Sequence, residues 1–373
     1  MRRCPLLVRV CCAAIAVAAA LVLPAPFRSA QAEDAPRFFR IGTAAITGTY
    51  FQIGAEIANA ISKPPGARDC ERGGLCGVPG LVAVAQATEG SVANVLAVGE
   101  AQLEAAFAQA DVATWAYRGD APVIVPSKAC RGAPAPPQNG AALLAKTGPI
   151  RNLRVIAALY PEAVHIVARI GSGIRTLADL KSRIVALGEA GSGTLAEARL
   201  VLHAAALQEC QVKAQYLRLA DASALIEANK LDAFFMMAGA PVPAIVDAAS
   251  MERVRLVPIN GRPREALLHD YPFLTATIIP GATYPGIDSE TPTIAVPALF
   301  IASAALPDDL VYGITKALWQ DSTRRLLDNG HPAGKAIRFE NALQGVTIPL
   351  HPGAARYYAE RGVTLPAEIP MPQ

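Results

Sequence analysis

Charge is scarce in this 373-residue chain, and the groups that usually carry chemistry are scattered. Only 17% of the residues are charged, against 52% hydrophobic, so a large core can form and global disorder is excluded. The five histidines (His165, His203, His269, His331 and His351) fall at no metal-binding spacing. No Gly-x-Ser-x-Gly elbow occurs, since neither Gly171-Ser172-Gly173 nor Gly191-Ser192-Gly193 has that register. The run Gly188-x-x-x-x-Gly193-Thr194 lacks the lysine that reaches the β- and γ-phosphates of a nucleotide. Gly191-x-Gly193-x-x-Ala196 formally matches the dinucleotide fingerprint. However, Glu209 precedes the following strand and Asp221 lies well beyond the expected distance, so no acid stands where a ribose needs one. No pair of carboxylates stands out for acid–base work. What is missing is a nucleophile, a base, a metal set and a nucleotide cradle.

A long hydrophobic run is missing too. Val10 to Leu23 is apolar but short for a membrane span. With Arg2, Arg3 and Arg9 before it and Ala30-Gln31-Ala32 after it, it reads as a secretory signal peptide over residues 1–32, cleaved after Ala32. Its removal takes four of the 34 basic residues (Arg2, Arg3, Arg9, Arg28) and none of the 31 acidic ones, leaving 30 against 31 and a net charge of −1. The slight basicity of the whole chain therefore belongs to the export signal, and nucleic-acid binding has no compositional support. Three cysteines leave with it, and Cys70, Cys76, Cys130 and Cys210 remain, an even number for an oxidising compartment. Cys70 and Cys76 flank a short flexible loop and are expected to pair. Whether Cys130 and Cys210 pair is left open. Zinc is the rival reading, but C-x5-C is not a zinc-knuckle spacing and no histidine stands near.

What the chain does have is a repeated order of elements, long enough for two domains. Residues 38–43 read as a strand, Thr47-Gly48-Thr49 as a turn, and Tyr50 to Ile61 as a helix stopped by Lys63-Pro64-Pro65-Gly66. A strand at 81–85 follows, then a helix over 92–98 capped by Ser91, a strand within 103–108 and a helix over 112–117 capped by Asp111. Residues 119–149, rich in Pro, Gly and Ala, read as a surface excursion. Two extended segments meet at Pro161, and Thr176 to Leu180 forms a short capped helix. The order then recurs. Ile184 to Leu187 is a buried strand and Gly188 to Thr194 a glycine turn. The next helix carries Leu195, Ala198, Leu202 and Ala205 on one face and Glu197, Arg199 and His203 on the other. A strand over 214–219, a helix over 224–228 capped by Asp221 or Ser223, and a strand over 231–237 complete the second unit. The tail returns through a strand at 292–302 and a helix opened by Asp308. Crossings near 158–168 and 292–302 would form a hinge.

Two such α/β lobes aim helix N-termini, with their free N–H groups and positive dipole ends, at whatever lies between them. Thr47-Gly48-Thr49, Thr88 to Ser91 and Ser192-Gly193-Thr194 are suited to holding a ligand and not to reacting with it. Each alone could be only a helix cap; three in matching places point to a cleft.

The chain resembles the TAXI-type substrate-binding proteins of TRAP (tripartite ATP-independent periplasmic) transporters. The resemblance rests on Ile41-Gly42-Thr43 with Thr47-Gly48-Thr49-Tyr50, on Ala87 to Asn94, on Leu159-Tyr160-Pro161-Glu162 and on Gly188 to Thr194. It continues through Asp232 to Phe235, Ala238-Gly239, Tyr271-Pro272-Phe273, Tyr284-Pro285-Gly286, Thr293 to Ala298 and Pro349 to Ala354. The chain departs from the family at Ala44-Ala45-Ile46, where paired glycines are usual, and in apparent insertions at 70–76 and 130–149.

The resemblance implies an α/β, two-lobed periplasmic binding fold of type II-like form, with a hinge and an interlobe ligand cleft. Residues 33–160 plus 296–373 would form lobe I and 161–295 lobe II. It implies a monomeric periplasmic receptor that binds a small acidic solute, a glutamate-like amino acid or a dicarboxylate, without chemistry, metal or cofactor, and delivers it to integral-membrane permease subunits. The carboxylate is expected on the N–H groups around Gly191, Ser192, Gly193 and Thr194. A second polar group is expected against Thr47, Gly48, Thr49, Thr88, Gly90, Ser91 and Asn94. Tyr50 and Tyr160 are expected to cover the apolar part, with Gln109 adding an amide and Gly239 at the edge. A sensor of the same fold and a secreted enzyme are the alternatives; the first is expected to continue into a membrane segment and the second to carry a reactive set.

Overall fold

Short apolar strands alternating with helices that begin on small residues build an α/β protein. The computed structural model describes residues 35–74, 76–122, 130, 140–365 and 369, with side chains omitted for 140–142. The chain divides into Met1–Ala35 and Pro36–Gln373. The expected signal peptide and its cleavage site lie outside the described residues, as do Pro134 to Pro137. All that follows concerns the second unit.

Its first half runs β1 (Arg37–Gly42), α1 (Thr49–Ile61), the short pair β2 (Ser62–Lys63) and β3 (Val78–Pro79), β4 (Leu81–Gln86), α2 (Ser91–Gly99), β5 (Ala105–Gln109) and α3 (Ala110–Arg118). Then come α4 (Gly140–Thr147) and the 17-residue β6 (Leu153–Arg169). The second half runs β7 (Ile184–Ala186), α5 (Gly193–Ala204), β8 (Lys213–Gln215), α6 (Leu219–Glu227) and β9 (Ala233–Ala238). The remainder is α7 (Pro243–Ser250), β10 (Val254–Leu256), α8 (Gly261–Asp270), β11 (Thr275–Ile279), β12 (Thr291–Ser303), α9 (Asp308–Leu318), α10 (Asp321–Asn329) and α11 (Pro352–Glu360).

The halves share one topology. β1 lies between β4 and β5, parallel to both; β7 lies between β8 and β9, parallel to both. Parallel neighbours require a helix crossover, and the alternating strands and helices provide it twice. The full order is β4-β1-β5-β12-β6-β9-β7-β8, with β10 on β6 and β11 on β12. The long strands β6 and β12 run antiparallel through the middle. The lower part of β12 pairs with β5, from Ala298 opposite Gln109 to Ala302 opposite Ala105. The upper part of β6 pairs with β9, from Ala163 opposite Ala238 to Ala168 opposite Ala233. At the changeover Pro161 faces Pro297 and the register shifts. Two prolines opposite one another remove two N–H donors from the ladder, so the sheet is least tied where one half gives way to the other.

The core follows the sequence pattern. Ile53, Gly54, Ile57, Ala58 and Ile61 form the buried face of α1, and β6 is buried on both faces apart from Pro161 and Arg169, as a central strand with covered faces must be. Tyr50, Phe107 and Phe300 pack edge to face, with ring centres 5.4 and 5.7 Å apart, a geometry that aromatic quadrupoles favour. Both remaining cysteine pairs are disulfides, Cys70–Cys76 and Cys130–Cys210. The second ties the excursion after α3 to the segment after α5.

Several expectations need correction. The segments meeting at Pro161 are one strand, because β12 and β9 hydrogen-bond to its two ends. The excursion at 119–149 contains α4, whose Leu144 is fully buried. Residues 216–219 are not strand: β8 ends at Gln215 and α6 begins at Leu219, so neither Asp221 nor Ser223 caps it. Ser91 and Asp111 are not caps either but lie in the first turns of α2 and α3, behind Gly90 and Gln109. Glu197 and Arg199 are buried rather than on a solvated face, because α5 packs against β9, α4 and α8 at once. His203 is exposed as expected.

Candidate functional site

Four helices begin at one cavity. Gly48, Gly90, Gln109 and Ser192, the N-cap residues of α1, α2, α3 and α5, all line it, as does Leu219 at the start of α6. The topology causes this: in each half, parallel strands end at the same edge, and the helices leaving them start there. The cavity opens to solvent, and about 670 Å³ of non-atom space, open solvent included, lies within its walls.

The helix starts are satisfied differently. Those of α1, α2 and α3 have no side-chain cap, so the first-turn N–H groups that no other partner takes are available to a ligand; in α2 the Ala93 N–H is already taken. That of α5 is closed by its own residue: Leu195 N–H donates to Ser192 Oγ at 3.1 Å, and Ser192 donates to the Glu189 carbonyl at 2.7 Å. Gly90 stands at φ 115°, a region open to glycine and strained for other residues.

Contacts cross between the halves around the cavity. Ala93 N–H donates to the Gly191 carbonyl at 3.0 Å, and Thr49 Oγ1 donates to the Gly239 carbonyl at 2.7 Å. A Cβ on Gly193 would lie 1.3 Å from Gln109 Oε1, so only glycine allows α5 to approach β5 this closely. Ser91 Oγ donates to Gln109 Oε1 at 3.1 Å and accepts from Gln109 N–H at 3.2 Å. Gln109 Nε2 has no partner although the residue is only 2% exposed. Buried donors without acceptors are costly, so a group at the cavity wall is left wanting one.

Among the described residues three carboxyls line the cavity, Glu89, Glu162 and Glu189, and no Lys, Arg or His does. Glu162 accepts the Tyr50 hydroxyl proton at 2.6 Å. Burial pushes its carboxyl well above the usual range, the Tyr50 bond opposes the shift, and the nearby Asp111 adds to it. The Tyr50 phenol is raised first by burial and then by Glu162. Glu189 is raised by burial against the pull of Arg218, 3.5 Å away at the rim. Behind the wall Asp111 and Glu197 face each other, fully buried. The expectation that no carboxylates come together is thereby corrected: residues 111, 162 and 197 converge from three elements, and no spacing in the sequence reveals it.

Of the residues singled out in the sequence, Gly48, Thr49, Tyr50, Gly90, Ser91, Gln109, Ser192, Gly193 and Thr194 line the cavity. Six others lie beside it. Thr47 is exposed on the turn. Asn94 is fully buried and ties the first half together, donating to the Thr43 and Phe107 carbonyls at 2.7 Å each and accepting from Thr88 Oγ1 at 2.8 Å. Thr88 is spent in that tie. Gly191 faces Glu89, and its carbonyl is taken by Ala93. Tyr160 packs behind Gly239, where a Cβ would come within 2.7 Å of its ring. The sequence reading missed Glu89, Glu162, Glu189 and the apolar wall of Leu217, Phe234 and Met236. His165 is structural: Tyr284 Oη–H donates to its Nε2 at 2.8 Å, and its Nδ1–H donates to the Ala163 carbonyl at 2.9 Å. Among the described residues no group of His, Cys, Asp and Glu is placed to hold a metal ion, and no helix is long and apolar enough to cross a membrane.

Fold and site together define an α/β protein of two like halves whose helix starts surround one ligand-sized cleft. The chain belongs to the NMT1-like family, which it matches over residues 41–128 and 137–362. The interruption at 129–136 contains Cys130. Among solved structures, the chain is similar to the methylphosphonate complex of PhnD1 from Prochlorococcus marinus (MIT 9301), at 11% identity over 88% of this chain and 99% of that one, with a TM-score of 0.48. It is also similar to the alkanesulfonate-binding protein SsuA of Xanthomonas axonopodis pv. citri bound to MOPS, at 17% identity over 80% and 82% of the two chains, with a TM-score of 0.44.

Proposed function

We propose that this protein is an extracytoplasmic solute-binding receptor that captures a small solute between two lobes and hands it to membrane permease subunits, with no chemistry of its own. The observation that carries the reading is the convergence of four helix N-caps on one cleft, three of them without a side-chain cap. Uncapped helix starts hold an anionic or carbonyl group through backbone N–H bonds and the helix dipole. Lobe I is residues 33–160 with 296–373, lobe II is residues 161–295, and the facing prolines Pro161 and Pro297 serve as the hinge. A solute that touches both lobes only in the closed form shifts the population toward closure.

The finer reading is a TAXI-type receptor of a TRAP transporter, exported to the periplasm through residues 1–32 and acting as a monomer. Its solute carries a carboxylate that sits on the N–H groups of α1 and α2 and reaches Gln109 Nε2. Of the two solute classes that the sequence suggests, the glutamate-like amino acid fits the wall better than the dicarboxylate. Glu89 and Glu189 can receive an ammonium group, whereas a second carboxylate meets no basic side chain in the described lining, Arg218 at the rim being paired with Glu189. Like charges a few ångströms apart in a partly dry site cost several kcal/mol.

Thermal-shift screening of residues 33–373 against amino acids and dicarboxylates tests this. Occupancy stabilises by about 2.7 kcal/mol at a hundredfold excess over Kd. Stabilisation by an amino acid is expected. A flat response to every amino acid and organic acid contradicts the receptor reading, and a response to dicarboxylates alone contradicts the choice between the classes.

A further inference from the structure

The carboxyls of Asp111 and Glu197 do not line the cavity. Asp111 lies in the first turn of α3, two residues after Gln109, and Glu197 lies one helical turn after Gly193. Gln109 and Gly193 meet across the cleft so closely that a Cβ on Gly193 would overlap Gln109 Oε1. Asp111 is 0% exposed and Glu197 1% exposed. The Asp111 carboxyl meets only Glu197 and, at long range, the N–H groups of its own residue and Val112 at the start of α3; the Glu197 carboxyl has only Asp111 to bond. Two carboxylates so placed cannot both be ionised, and a single proton shared between them satisfies both.

We propose that Asp111 and Glu197 form a proton-binding site that latches the two halves of the protein together, so that closure on a solute takes up a proton. The inference rests on the lobed receptor reading above for its link to the solute, and not for the proton site itself. Glu197 holds the proton and donates to Asp111, whose place at the positive end of α3 favours the anion. Among the described residues the surroundings supply no competing cation. Glu162 and Tyr50 stand on one side, Tyr160 and Glu56 beyond them, and Tyr271 beside Glu197. No Lys, Arg or His acts on Asp111, Glu162 or Glu197. From the elements packed on α5, Arg264 of α8 turns to the Thr277 carbonyl, while His269 of α8 and Lys146 of α4 are exposed. Arg199, on α5 itself, is taken by Glu209 at 2.5 Å.

Burial raises both carboxyls, and the charges of Asp111 and Glu162 push Glu197 further. The sign follows. The closed form holds a proton that separated, hydrated carboxyls release above their ordinary values of 3.8 and 4.5. The latch is therefore complete at low pH and is lost as pH rises through the pair's own titration. Deprotonation then leaves two uncompensated charges on α3 and α5, which separate most readily by opening the cleft.

The test uses residues 33–373, following the protonated-carboxyl infrared band and the radius of gyration by small-angle scattering from pH 5 to pH 9. The wild type is expected to show the band at low pH and to lose it on raising pH, with expansion over the same range. Glu197→Gln replaces the acid by a permanent donor. It is expected to weaken the band and to stay compact throughout; Asp111→Asn is the second variant should the first fail to fold. With any solute found by thermal shift, wild-type affinity falls by about tenfold per pH unit across the titration, the limit for one linked proton, while Glu197→Gln gives a flat profile. Absence of a protonated-carboxyl band, or identical expansion of wild type and variants, overturns the proposal. If no solute is found, the receptor reading fails while the infrared and scattering results still decide the latch.

Discussion

The two halves of the sheet share a strand order but differ in how their helices begin. In the β1–β5 half, α1, α2 and α3 start from Gly48, Gly90 and Gln109 without a side-chain cap. In the β7–β9 half, α5 starts from Ser192, whose hydroxyl already takes the Leu195 N–H. One half therefore keeps N–H groups for a ligand. The other presents a finished helix start whose glycine lets it close against Gln109. They are also pinned differently. Asn94 ties the first half through two backbone carbonyls and Thr88, a neutral lock. His165 with Tyr284 ties the second, a lock that a proton can break.

The largest effect is expected at the point of closest approach. Gly193→Val places methyl groups where Gln109 now lies, so solute affinity should fall by more than about a hundredfold, as steric loss of closure exceeds 2.7 kcal/mol. The melting temperature without solute should change little, because the halves can part without unfolding. Pairing Gly193→Ala with Gln109→Ala should recover part of the loss; calorimetric titration of the single and double variants checks this.

Next are the two locks. Asn94→Ala removes the side-chain donor to the Phe107 carbonyl and one of two donors to the Thr43 carbonyl, which Thr88 also reaches, and should cost about 2 kcal/mol in denaturant unfolding, equally at pH 7 and pH 5. The His165 lock should instead depend on pH. Burial lowers its imidazole from 6.5 to about 4, so only the unfolded chain takes up the proton in between. Stability present above pH 6.5 is lost as pH falls toward 4, by about 3 kcal/mol. Unfolding titrations across that range should show the slope in wild type and a flatter one in His165→Gln. Equal slopes would mean that the ring is not buried neutral.

The smallest effect separates the helix starts. Ser192→Ala removes the cap of α5 and should cost about 1 kcal/mol of stability. Ser91→Ala removes no cap but leaves the buried Gln109 N–H without its acceptor, so its stability cost should be at least as large. It also frees the Gln109 side chain and should weaken solute binding more than Ser192→Ala does. The reverse order in either measurement would break the division of roles between the halves.

Much of this was legible in the sequence because it is local. The period of Ile53, Ile57 and Ile61 marks α1, the apolar run 233–237 marks β9, and the glycine turns mark where helices start. The repeated order of elements anticipated the matching topology of the halves. What was hidden depends on partners far along the chain. Ser91 reads as a cap until Gln109 is seen to hold its hydroxyl, 18 residues on. Glu197 reads as a solvated helix residue until α4 and α8 are found to cover it. The carboxyl wall was invisible because Glu89, Glu162 and Glu189 share no spacing, and their joint charge exists only after folding.

The central claim is that the halves close on a solute held by the helix starts of the first half and shut in by Gly193 of the second. Small-angle scattering of residues 33–373, with and without the first amino acid that raises the melting temperature, tests it most directly. The account predicts that the radius of gyration falls on adding the solute to the wild type and does not change for Gly193→Val. A bound solute that leaves the wild-type radius unchanged would contradict it.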